Sequence, residues 1–184
     1  MRRRLGLGFA VTALLAATAC NAGLPVGESG SIPLVPFFNE DLGIQSVVPL
    51  GCAQESSDTH NCSSVSPEEG PLIIVQVAIP GSKDGLVNLV LEQTTISRMP
   101  QPSKMYKGSE FVWELFRFES QFPDAGPQLM QVDLALAEND ATALMVAMVT
   151  LPEQYERHPV WYDSVFTHSV YALSPLPDNG RKNE

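Results

Sequence analysis

The sequence predicts an α+β fold: an antiparallel sheet of about five to six strands covered by two helices. Three observations carry this expectation. The run LIIVQVAI at 72–79 is dense in branched residues and short, as buried strands are. The apolar segments 129–137 and 141–151 flank Asn139-Asp140, a pair suited to a hairpin turn. Helix-period stripes occur after Pro80-Gly81 and near Pro159, apart from the hairpin-linked strands, which is the α+β pattern.

The elements follow in order. Residues 42–49 read as a short strand entering a turn at Leu50-Gly51, and 53–70 as a polar loop with a brief strand near Cys62. After the 72–79 strand, Ser82 is placed to cap a helix running to about Thr95, with Leu86, Leu89, Val90 and Gln93 on one stripe. Residues 97–107 hold two prolines and read as a loop. Residues 110–122 alternate, setting Val112, Phe116 and Phe118 against Trp113 and Leu115 on opposite faces. A turn at 123–127 leads into the hairpin, with Asn139 and Asp140 suited to left-handed backbone. Thr150-x-x-Glu153 resembles a capping box, and Pro152 suits a first helical position. Pro159 breaks this segment, so a second helix is expected from about Pro159 to Leu173, with Tyr162, Phe166, Val170 and Leu173 facing the sheet.

The N-terminus predicts a destination. Arg2, Arg3 and Arg4 precede the apolar run LGLGFAVTALLAA, which ends at Ala17-Thr18-Ala19-Cys20. This is the layout of a secretory signal, too short for a comfortable membrane span. The small residues before Cys20 fit a lipobox, with the Cys20 thiol taking the lipid. The expected organisation is a lipoprotein signal over 1–19, a lipidated cysteine and tether over 20–35, a folded domain over 36–174 and a polar tail over 175–184. The chain would then sit on the outer face of the cell membrane, or at the outer membrane of a two-membrane cell, with the membrane as its first partner.

Composition narrows the partners. The formal net charge is −10, and removal of the arginine-bearing signal makes the body more acidic still. Nucleic acids and anionic lipid surfaces want a basic face, so neither is an expected partner. Besides Cys20 the chain has Cys52 and Cys62, which in an exported protein most simply form one disulfide. A metal site from Cys52, His60 and Cys62 is the alternative, and it lacks a fourth ligand at workable spacing. No cofactor or metal is expected.

No serine elbow, zinc-protease helix, phosphate loop or dinucleotide fingerprint is present. Ser164 and His168 stand one helical turn apart and are the one candidate nucleophile–base pair. Trp161, Tyr162 and His168 are the candidate partner-contacting residues of the last helix, and 52–70 is a second candidate region.

A resemblance enters at residues 36–51, PFFNEDLGIQSVVPLG. Phe37, Asn39, Leu42, Gly43, Ile44, Pro49 and Gly51 match the opening of bacterial PsbP-like domains. The close is similar too: a last strand ALMVAMVTLP, then a helix with Val165-Phe166 and Ala172-Leu173. The resemblance implies an α/β/α sandwich with an antiparallel sheet between helices. It also implies a module that contacts other molecules, since some bacterial examples look like accessories to secreted hydrolases. Cys52 stands where the pattern has tryptophan, so a Cys52–Cys62 bond would take over the pinning of that turn. The expectation is therefore a membrane-anchored, non-enzymatic binding or scaffolding domain with a protein or small-ligand partner. A small envelope hydrolase using Ser164 and His168 or carboxylates elsewhere, or a purely structural lipoprotein, are its rivals.

Overall fold

The computed structural model describes residues 33–108, 110–123 and 126–176. The expected signal, Cys20 and most of the tether and tail lie outside the described residues. Among the described residues, ten strands and three α-helices occur in the order β1 (Leu34–Asn39), β2 (Ile44–Pro49), β3 (Ala53–Gln54), β4 (Thr59–Asn61), β5 (Leu72–Pro80), α1 (Asp84–Gln93), β6 (Lys104–Lys107), β7 (Val112–Phe122), β8 (Gly126–Glu138), β9 (Thr142–Thr150), α2 (Pro152–Arg157), α3 (Pro159–Ala172) and β10 (Ser174–Pro175). A seven-stranded antiparallel sheet has the order β3-β4-β5-β9-β8-β7-β6, and a three-stranded sheet the order β1-β2-β10. The α+β class stands, with α1 on one face of the large sheet and α2–α3 with the small sheet on the other.

Several local expectations need amendment. β1 begins at Leu34, inside the expected tether, because 34–39 pair with β2 from Leu34↔Pro49 to Asn39↔Ile44. Ser174 and Pro175 pair with β2, so the domain reaches into the expected tail. Lys104–Lys107 form the edge strand β6 on β7, where the two upstream prolines had suggested loop throughout. Ser82 does not cap α1: Lys83 is the N-cap, and its N–H is taken by the Glu138 carboxylate at 2.8 Å. The capping box also fails. Leu151 is the N-cap of α2, and the Thr150 hydroxyl donates to Gln154 Oε1 instead. Neither Asn139 nor Asp140 enters the left-handed region; the Asn139 side chain accepts the Ala141 and Thr142 N–H groups and closes the turn.

The strands divide two cores by alternation. Leu72, Ile74, Leu144, Val146, Met148 and Ala135 face α3, where Tyr162, Phe166, Val170 and Leu173 meet them as expected, joined by Val165. Val77, Met145, Leu134, Leu136, Phe116 and Val132 face α1. On the α3 side a buried polar ladder ties the layers. Gln76 Nε2 donates to Ser46 Oγ at 2.8 Å, Ser46 Oγ donates to the Ser169 carbonyl, and Ser169 Oγ donates to the Val47 carbonyl. The pieces of three separate elements thus hydrogen-bond one another, while Gln76 Oε1 is left without a partner among the described residues.

Cys52 and Cys62 are disulfide-bonded, ten residues apart. The bond closes the base of the β3–β4 hairpin, and Cys62 is fully buried in the α3-side core. Gly51, just before it, sits at φ +95° with Val65 packed over the space a side chain would need, so this turn requires glycine.

Candidate functional site

The α1 face of the large sheet is incompletely covered. A ten-residue helix is about 15 Å long, while the nine-residue strands β5 and β9 run about 30 Å. The start of α1 is tied to one end of the sheet by Lys83, through its backbone to Glu138 and through its ammonium to Glu114. The other end of the face is left open as a cleft of about 730 Å³.

Register shows how the floor is built. One row across the sheet is Thr59, Val75, Ala147, Leu134 and Phe116; the next is Ile73, Val149, Val132 and Phe118. Ala147 lies mid-row, and its single methyl deepens the hollow between Val75 and Leu134. Leu89, Val90 and Gln93 of the last turns of α1 wall one end. After α1 the chain is pinned to β7, where the Thr95 N–H is shared by Ser120 Oγ and the Gln121 carbonyl. Opposite stands the β3–β4 hairpin with Asp58 and Thr59. The Asp58 carboxylate accepts hydroxyl hydrogen bonds from Ser56 at 2.6 Å and Thr59 at 3.0 Å. The Asp58 carbonyl takes the Gln76 N–H at 2.8 Å, fixing the rim to β5.

The floor is apolar and the polar groups stand around the mouth. That is the chemistry of a site for an apolar molecule with a polar end, and the volume lies within the range of about 300–1,000 Å³ usual for small-ligand sites. Sequence reasoning missed this site. One available signal was that β9 is apolar at every position from Ala143 to Val149, so both faces need cover, while one short helix had to cover a whole face.

The residues singled out from the sequence fall elsewhere. Tyr162 is fully buried under α3, so it offers no partner surface; its helical spacing marked core. Trp161 is half-buried and meets the Tyr162 ring edge-on at 4.8 Å. His168 is half-buried, with Nδ1 2.6 Å from the Ser164 carbonyl oxygen. An acceptor that close calls for a proton on Nδ1, so Nδ1 does not serve as base toward Ser164 Oγ, 3.4 Å away. Cys52 and Cys62, being bonded to each other, are not thiolate ligands. His60 is buried on the α3 side with the Phe37 ring edge-on at 4.3 Å, and desolvation holds its pKa below the usual value. Of the second candidate region, Asp58 and Thr59 do reach the cleft.

No family model matches the chain, and no curated protein matches it by sequence. Comparison with solved structures settles the fold. The chain is similar in fold to yeast Mog1p. That Saccharomyces cerevisiae Ran-binding protein superposes with a TM-score of 0.52 at 13% identity, covering 79% of this chain and 97% of Mog1p. Cyanobacterial PsbP from Synechocystis has a TM-score of 0.45 at 10% identity, covering 82% of this chain and 97% of that one. LpqN of Mycobacterium tuberculosis, described as involved in cell envelope biogenesis, has a TM-score of 0.46 at 11% identity, covering 79% and 93%. The Mog1p superposition supports the expected α+β sandwich as a statement about fold.

Proposed function

We propose that this chain is a lipid-anchored envelope protein that binds, without chemistry, a small molecule whose apolar part lies in the cleft beneath α1. The observation that carries the reading is the apolar floor of Ile73, Val75, Ala147 and Val149 in a cleft of about 730 Å³, where Ile73 and Val75 keep part of their surface open. Folding leaves this surface to water on one side, and an apolar occupant would remove it from water. The arginine-led signal and lipobox support the anchor, and the Cys52–Cys62 bond fits an oxidising compartment.

Two results are expected. In Val75→Trp, the indole extends over Ala147, its cross-strand neighbour, and fills the hollow. Titration with an environment-sensitive alkyl-naphthalene dye should show affinity lowered by at least about tenfold, while the melting temperature is unchanged or raised, because filling a hollow adds contacts. Equal dye affinity in both proteins would remove the cleft as the site. Cys20→Ser should move the protein from the membrane fraction to the soluble fraction and abolish fatty-acid labelling. Unchanged labelling would refute the anchor.

A further inference from the structure

The cleft carries a charge preference that its apolar floor does not explain. Among the described residues Asp58 is the one ionisable side chain lining it, and no lysine, arginine or histidine does so. The other polar groups around it, Thr59, Gln93, Thr94 and Gln128, are neutral. Asp58 is half-buried and is held from below by its carbonyl on β5. Its Oδ1 is occupied by two hydroxyl donors, while among the described residues no partner meets Oδ2 and no cation pairs with the carboxylate. A fixed carboxylate with an open oxygen, beside an apolar hollow in a strongly acidic protein, complements a positive head and repels a negative one.

We propose that Asp58 selects the ligand's head group, and that the cleft takes single-chain amphiphiles with a cationic, ammonium-type head and rejects anionic ones such as fatty acids. This rests on the cleft-binding reading and adds the chemical class of the occupant. The apolar floor supplies affinity; the carboxylate at the mouth supplies sign.

The test uses the folded chain with dodecyltrimethylammonium, dodecyl maltoside and dodecanoate, each below its micelle concentration, at pH 8 and low salt. The affinity order should be ammonium, then maltoside, then carboxylate, with about tenfold between the extremes, and high salt should narrow that spread. In Asp58→Asn the spread should fall to about twofold, and in Asp58→Lys the order should reverse. Glu156→Gln, an exposed change on α2 across the sheet, removes the same charge and should leave the order intact. An unchanged spread in Asp58→Asn, or an equal narrowing in Glu156→Gln, would overturn the proposal. Maltoside binding that is lost in Val75→Trp, together with a flat charge series, rejects Asp58 selection and keeps the cleft. If no probe binds, both readings fail.

Discussion

Cys62→Ala is expected to lower the free energy of unfolding by about 3 kcal/mol, measured by urea denaturation under oxidising conditions. The bond closes a short loop, and breaking it returns that loop's freedom to the unfolded chain. A second contribution acts in the folded state. Cys62 is fully buried, and truncation to alanine opens a small void in the α3-side core. The hairpin above the bond is short, with two residues in β3 and three in β4, and besides the bond it is held by the pairing of β4 with β5 and by the Gln76 N–H on the Asp58 carbonyl. Loosening it slackens the rim that carries Asp58, so dye affinity should fall along with stability. Wild-type protein treated with reductant should reproduce most of the shift. If reduced and oxidised wild type unfold at the same urea concentration, the staple does not stabilise this fold.

Arg117→Leu is expected to cost about 2–3 kcal/mol, less than breaking a fully buried pair because water reaches part of Arg117. Asp133 on β8 is only 2% exposed and stands directly across from Arg117 on β7. The guanidinium also holds Asp163 of α3 at 2.8 Å and lies 4.5 Å over the Tyr155 ring of α2, so it joins both helices to the sheet. Its removal leaves a buried carboxylate unpaired, with one oxygen already lacking a partner. Burial raises the Asp133 pKa, and Arg117 pulls it back down. Without Arg117 it rises further. An acid whose folded pKa lies above its unfolded value loses stability as pH rises from the unfolded value through the folded one. The deficit of Arg117→Leu should therefore be largest at neutral pH and shrink as pH falls toward the ordinary aspartate range. The double variant Arg117→Leu/Asp133→Leu should regain most of the loss, because the stranded charge is gone. A deficit that is equal at all pH values would contradict this account.

The layers of the fold were legible because strong local signals agreed with one another. The alternation through Trp113, Leu115, Phe116 and Phe118 sorted β7 onto two cores, and the spacing of Tyr162, Phe166, Val170 and Leu173 placed α3 on the sheet. Less legible were features decided by long-range pairing. β1, β6 and β10 have weak local patterns and exist because β2 and β7 offer open edges to them. Helix caps were misread at Ser82 and Thr150 because backbone and distant side chains supplied the partners instead. The cleft was hidden for a different reason. A strand that faces a packed helix and a strand that faces an unfilled hollow have the same apolar sequence; only the length and position of α1 bury Val77 while leaving Val75 partly open. Asp58 likewise read as one scattered acid until the β3–β4 hairpin brought it to the mouth of the hollow.

The central claim is that the α1 face of the sheet, and not the surface of α3, receives a ligand. Methyl NMR titration with dodecyl maltoside tests it most directly. The account predicts saturable shifts at Val75, Val132, Met145, Ala147 and Val149, with Ile74, Val146 and Met148 on the opposite face and Val160 on α3 unmoved. Shifts confined to α3, or none at any of the cleft methyls, would contradict it.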